Sequence, residues 1–261
     1  MSAVPPYSAA RADVLRLPGG LTERDELAVE EPLEIRVNGE AVAVTMRTPG
    51  HDEELSIGFL RSEGIRAVAA QPTADLAANT IDVQVEDDFD PGRLRRNFYT
   101  TSSCGVCGKG ALEAVAVEAP RVESALRVSA EVVGALPDRL RAAQPAFAAT
   151  GGLHATGLFH ADGELIVVRE DVGRHNAFDK VVGRSFLDGL LPLTDKLVCV
   201  SGRLSFELVQ KAAVAGAPIL VAVGAPSTLA VELAGDRGIT LCGFVRDGRV
   251  NVYSEPWRVV A

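Results

Sequence analysis

Two cysteines three positions apart stand in the segment Ser102-Ser103-Cys104-Gly105-Val106-Cys107-Gly108-Lys109-Gly110. This spacing keeps two sulfurs within reach of each other. The glycines leave the backbone permissive, and the serines and lysine are loop chemistry rather than the apolar surroundings of a structural thiol. A zinc site is one use of such a pair, but it needs four ligands. His51, His154, His160 and His175 supply no second pair at finger spacing. A thioredoxin-like redox pair is another; it sits at a helix start after a strand, and no such pattern precedes Cys104. A third is sulfur carriage, in which a thiolate takes up an activated sulfur as a persulfide and delivers the outer sulfur elsewhere. A loop suits a thiol that must visit two active sites, and a nearby lysine such as Lys109 favours the thiolate. A purely structural pair is the plain alternative. Cys199 and Cys242 lie in apolar, strand-like runs and read as small buried hydrophobes.

A second constellation is Glu170-Asp171-Val172-Gly173-Arg174-His175-Asn176, which crowds charge into a strand-to-helix turn. Gly173 admits close backbone approach, and Arg174 and His175 are natural contacts for a phosphate or a pterin. A solvated turn with local salt bridges would account for the same residues. Ser201-Gly202-Arg203-Leu204-Ser205 and Gly224-Ala225-Pro226-Ser227-Thr228 each lead from a strand into a helix through small residues and hydroxyls. Neither is a P-loop, because no Gly-Lys-Ser/Thr follows. Three such turns at the ends of successive strands still carry weight, because α/β sheets bind ligands there. Leu153-His154-Ala155 lacks the following glutamate of a zinc deaminase, and no Pro-Cys-x-x-Cys completes one.

The elements that must position these residues follow from periodicity. Residues 1–27 are expected to be flexible, with neither the basic region nor the apolar core of a signal peptide. Residues 31–48 predict a hairpin across Asn38-Gly39. A helix carrying Leu55, Phe59 and Leu60 on one face follows, then a strand over 81–85 and a helix-compatible Arg93-Leu94-Arg95-Arg96. These make a small α+β unit over residues 28–100. After the Cys-x-x-Cys loop and linker, 101–128, a helix over 129–143 opens a unit that runs to residue 261. Its strands and helices alternate, with hairpins across Asp162-Gly163 and Asp247-Gly248, and predict a three-layer α/β sheet.

Composition narrows the function classes. The 261 residues carry a formal charge of −9, a poor match to nucleic acid, which calls for a basic footprint. The longest apolar runs are too short to cross a bilayer. A cytoplasmic location is expected, and there a disulfide framework is not.

Taken together, Cys104 with Gly105-Val106-Cys107-Gly108, the Glu170-to-His175 motif, and Gly243-Phe244-Val245-Arg246-Asp247-Gly248-Arg249 resemble the FdhD family over residues 28–258. Members of that family are sulfur carriers required for formate dehydrogenase activity. The resemblance implies a sulfurtransferase that accepts persulfide sulfur from a cysteine desulfurase. It passes that sulfur to the molybdenum bis(molybdopterin guanine dinucleotide) cofactor, Mo-bis(MGD), destined for the formate dehydrogenase catalytic subunit. It maps the persulfide to Cys104, with Cys107 as second thiol, and cofactor binding to Phe244, Val245, Arg246, Asp247, Gly248 and Arg249. Gly173, Arg174 and His175 join that cofactor set from their own chemistry. The implied fold is a three-layer cytidine-deaminase-like domain with a small N-terminal α+β domain, as a homodimer. Two other readings stay open: a non-catalytic chaperone that delivers the dinucleotide without using the cysteines, and a zinc-dependent enzyme on a deaminase-like scaffold.

Overall fold

Most of the stretch 1–27 expected to be flexible instead belongs to an antiparallel hairpin of β1 (Ala9–Arg16) and β2 (Leu21–Ala28), paired in register from Ala9–Ala28 to Arg16–Leu21. Its mixed charges hide the alternation in sequence, yet they meet across the strands. Arg16 bonds Glu23 at 2.9 Å and Asp25 at 3.1 Å, the opposite-charge pairing that steadies a two-stranded ribbon. The computed structural model describes residues 5, 7–73, 79–86 and 117–261. The expected helix at Arg93-Leu94-Arg95-Arg96 lies outside these.

The next unit follows its alternation. β3 (Glu31–Val37) turns back as β4 (Glu40–Arg47) through Asn38 and Gly39, with φ of 52° and 83°. Both positive values are what a type I′ turn requires and what Asn-Gly supplies. β5 (Ala67–Pro72) and β6 (Thr80–Val85) complete a sheet ordered β4-β3-β6-β5. Leu33, Ile35, Val37, Ile81 and Val83 share one core with Leu55 and Leu60 of α1 (Asp52–Ser62).

The larger sheet is built on β8 to β13. A short β7 (Val128–Ser129) precedes α2 (Ala130–Ala142) and α3 (Pro145–Thr150). Then come β8 (His154–Phe159), β9 (Leu165–Asp171), α4 (Arg174–Leu187), β10 (Leu197–Val200), α5 (Phe206–Val214), β11 (Ile219–Ala222), α6 (Thr228–Arg237), β12 (Thr240–Arg246) and β13 (Arg249–Ser254). The strand order is β13-β12-β11-β10-β8-β9. β10, β11 and β12 run parallel, while β8 and β13 run against their neighbours. A final β14 (Val259–Val260) pairs with β7 and ties the chain end to the start of α2.

Strand period two sorts the side chains into two cores. Val198, Val200, Leu220, Ala222 and Leu241 point to the layer of α4, α5 and α6. Leu197, Cys199, Ile219, Val221 and Cys242 point to Val133, Leu136 and Leu140 of α2. The expected three-layer α/β arrangement is therefore present. Cys199 and Cys242 are buried free thiols in the α2 layer, and burial raises the Cys242 thiol to about 12. They are the inert hydrophobes the sequence suggests. Among the described residues no helix is long and apolar enough to cross a membrane.

The two sheets are joined by a crossing of α1 on α4 at which no side chain fits. A methyl added at Gly58 would run into the Asp179 carbonyl oxygen, and one at Gly183 into that of Glu54. Charge flanks the crossing. Asp179, fully buried, accepts from Ser62 Oγ and from Lys211 Nζ on both carboxylate oxygens, each at 2.8 Å. Arg169 bonds both oxygens of Glu54 at 2.5 and 2.8 Å. Lys180 sits 2.7 Å from Asp171 and donates to the Thr48 carbonyl at 2.8 Å.

Candidate functional site

The parallel direction of β10, β11 and β12 sets their carboxyl ends along one edge of the large sheet. β9 ends there as well, and β8, which runs the other way, starts there. The helices α4, α5 and α6 begin directly after these strand ends. This is the edge at which open α/β sheets bind ligands, and it collects the three glycine turns.

The second and third turns interlock through their backbones. Gly224 N–H donates to the Gly202 carbonyl at 3.1 Å, Leu204 N–H to Ala225 at 3.0 Å, and Ser227 N–H to Leu204 at 3.0 Å. A Cβ at Gly224 would press on the Gly202 carbonyl and the Arg203 backbone, so glycine permits the approach. Phe244 N–H reaches the Gly224 carbonyl at 3.1 Å. Above Gly202 lie the side chains of His154 and Arg174, each about an ordinary contact from where a Cβ would sit. The edge thus runs Arg174, Gly202, Gly224, Phe244 without a gap.

Within the Glu170-to-Asn176 motif the structure divides labour. Glu170 caps α3, accepting from Ala146 N–H at 3.0 Å and Phe147 N–H at 2.7 Å. Asp171, fully buried, accepts from Thr48 N–H at 3.1 Å and Gly173 N–H at 2.8 Å and so locks the small unit to this turn. Asn176 donates to the Met46 carbonyl at 2.7 Å. These three hold the fold. Arg174 and His175 are left for the edge. The Arg174 Nε is buried with no hydrogen-bond partner among the described residues. Such an orphaned cationic donor fits an anion that completes it.

His175 Nε2 lies 3.3 Å from Ser205 Oγ and 4.0 Å from Glu207 Oε2. Ser205 occupies the first position before α5 yet makes no side-chain cap bond there. Its hydroxyl faces the His175 ring instead. His154 Nδ1 lies 3.4 Å from Ser201 Oγ, which also accepts from Ala155 N–H at 2.9 Å. Burial, then Lys211 and Arg174, push His175 down to about 4, and burial followed by Arg174 lowers His154. Both rings are neutral near pH 7. Sequence reading named Ser205 only as the end of the second glycine turn and weighed His154 only for zinc; it did not select Glu207 or Lys211, which lie far from the motif in sequence.

The expected segment 244–249 is split. Phe244 is 43% exposed with φ of 52°, beside Gly224. Val245 is fully buried in the α2 layer, so its side chain faces away from the edge and cannot contact a ligand there. Arg246, Asp247, Gly248 and Arg249 are exposed. Asp247 and Gly248, with φ of 51° and 72°, make the type I′ turn of the β12–β13 hairpin. Gly134 on α2 leaves room for Gly248, 3.2 Å from where its Cβ would be. This turn therefore leans over the α2 layer. Cys104 and Cys107 lie outside the described residues.

Comparison with known proteins gives a consistent result. The model of the FdhD/NarQ family matches residues 28–260. A sulfur carrier protein FdhD from Streptomyces coelicolor is 51% identical over 269 residues, covering 95% of each chain. Its counterpart from Mycobacterium tuberculosis is 50% identical over 258 residues, covering 92% of this chain and 93% of the relative. A crystal structure from Desulfotalea psychrophila, described as a formate dehydrogenase accessory protein, superposes with a TM-score of 0.75. It is 28% identical and covers 97% of this chain and 98% of its own.

Proposed function

We infer the function from one premise: this chain belongs to the FdhD/NarQ family. We propose that it is a sulfur carrier that serves formate dehydrogenase. In this reading the Cys104 thiolate attacks the outer sulfur of a persulfide on a cysteine desulfurase. An S–S bond forms to Cys104, and the donor cysteine leaves as thiolate. Cys107 is the second thiol of the pair. The carried sulfur is then delivered to Mo-bis(MGD), the acceptor substrate, at the carboxyl edge of the large sheet: the Cys107 thiolate attacks the Cys104 sulfur, the Cys104–Cys107 disulfide forms, and the outer sulfur leaves as hydrosulfide for the acceptor.

The observation that carries the reading is that edge. Arg174 with its unpaired buried Nε, the open backbone at Gly202, and exposed Phe244 suit in turn a phosphate, its close approach and an aromatic base. Gly173, Arg174, His175 and Phe244 are the proposed ligand contacts, with Arg246 and Arg249 as flanking charges on the hairpin tip. The reading also takes the large unit as similar to cytidine deaminase, with support from its mixed sheet between helical layers. A division at 28–100 and 129–261, a homodimer and a cytoplasmic location belong to it too.

Mass spectrometry after incubation with a cysteine desulfurase and cysteine tests the carrier role. The peptide holding Cys104 and Cys107 is expected to gain 32 Da, about one sulfur atom. The gain should vanish when both are replaced by alanine, along with activation of formate dehydrogenase. Activation that survives the double replacement favours a carrier-free chaperone and overturns the proposal.

A further inference from the structure

The edge holds a charge arrangement that sulfur carriage alone does not call for. His175 is enclosed by groups from three elements. On its own helix α4 stands Arg174. From α5 come Lys211 and Glu207, with Ser205 just before that helix, and from β8 comes His154. Asp171 faces His154 from the end of β9. Asp179 holds Lys211 Nζ at 2.8 Å on both oxygens. The free site therefore sets two fixed cations, Arg174 and Lys211, and one carboxylate, Glu207, around a neutral imidazole. A cationic surround with an unpaired arginine donor is incomplete without an anion.

We propose, resting on the reading of this edge as the seat of a phosphate-bearing nucleotide, that ligand binding is coupled to uptake of a proton by His175. Ser205 and Glu207 are its positioning residues. The geometry gives the proton a place to go. In the neutral ring Nε2 lies 3.3 Å from the Ser205 hydroxyl and 4.0 Å from the Glu207 carboxylate. Once His175 takes a proton from solvent, its Nε2–H donates to Ser205 Oγ, and Ser205 O–H donates on to the Glu207 carboxylate. The imidazolium thus gains a charge-assisted chain and an anion beside it. No covalent bond changes.

The sign follows from electrostatics. In the free protein burial, Lys211 and Arg174 outweigh Glu207 and hold His175 near 4. A phosphate next to Arg174 reverses the local field, and an opposite charge within about 4–6 Å raises such a group by roughly 1–3 units. Ligand affinity should therefore strengthen as pH falls through the bound-state value, and level off below about 4. Ligand release in turn expels the proton. Between about pH 4 and the bound-state value, the edge gains up to one positive charge on filling, matched to an anionic dinucleotide.

NMR titration of the His175 ring, assigned by its loss in His175→Gln, tests this with guanosine diphosphate as probe. The expected result is a midpoint near 4 in the free protein that rises by about one unit or more at saturating nucleotide. Glu207→Gln should lower the bound midpoint while leaving saturable binding. Saturable binding with an unmoved His175 midpoint overturns the proton coupling and leaves the site reading intact. An unmoved bound midpoint in Glu207→Gln removes Glu207 from its positioning role. Failure of guanosine diphosphate to bind at all brings down the site reading, and the coupling with it. A merely structural histidine would not shift its titration with ligand.

Discussion

Phe244 holds a backbone conformation that a bulky residue rarely adopts, with φ of 52°, and leaves its ring exposed. Such a residue costs on the order of 1–3 kcal/mol and persists where the surroundings over-determine it, often at ligand sites. It remains 43% exposed, so the strain is held for only a partial packing return. We expect Phe244→Gly to leave the unfolding free energy within about 1 kcal/mol of wild type, because relief of strain offsets the added freedom of the unfolded chain. The same change should weaken guanosine diphosphate binding by about tenfold or more, the order of one base–aromatic stack. Isothermal titration and urea unfolding on the same variant decide it. A large loss of stability with unchanged affinity would make Phe244 a structural residue. Arg174 and Asp171 show the same contrast within one motif. They are three residues apart, yet the carboxylate is spent on the fold and the guanidinium is not.

At the scale of elements, the α1–α4 crossing decides how the small unit sits on the large one. Gly58 and Gly183 each face a carbonyl oxygen of the opposite helix, so backbone lies on backbone. Glycine inside a helix ordinarily gives way to alanine with a gain of about 1 kcal/mol. Here the sign should invert. Gly58→Ala is expected to destabilise by about 3 kcal/mol, the upper range for overpacking a filled core, read as a lower urea midpoint at unchanged slope. A stabilised variant would mean the helices part easily and that the crossing is soft. The strand ends tell a related story. Two turns that look alike in sequence, at Gly202 and Gly224, are hydrogen-bonded to one another in space, and the turn before α4 joins them through the His175 ring on Ser205.

At the scale of the whole molecule, buried charge joins the units. Asp179 and Lys211 are 1% and 6% exposed, and Ser62 of the small unit completes the carboxylate. Removing one partner leaves a buried charge alone, at a cost of about 3–5 kcal/mol, whereas replacing both with apolar groups is often near neutral. Asp179→Leu and Lys211→Leu should each lower stability by that order, and the double variant by clearly less. Thermal unfolding of all three measures the coupling, and additive losses would refute it. Because Lys211 also bears on His175, the pair links the joint between units to the charge of the edge.

Much of this architecture was legible in the chain. Alternation gave β3 and β6, because strand period two exposes its own faces, and short continuous apolar runs gave β10 and β11, which are buried on both faces. Asn38-Gly39 and Asp247-Gly248 announced their turns, since few residue pairs accept two positive φ values. The three motifs carried the family. The β1–β2 hairpin escaped because its order lies in cross-strand charges, which no local window reveals. Segment 244–249 read as one binding stretch, but a bulge between Gly243 and Arg246 turns Phe244 to the edge and Val245 to the core. Ser205, Glu207 and Lys211 reach His175 from 30 or more positions away, drawn together by parallel strands. Residue chemistry and local period are written in sequence. Which charge is spent on the fold and which is left facing a ligand depends on distances between segments, and those arise only when the sheets pack.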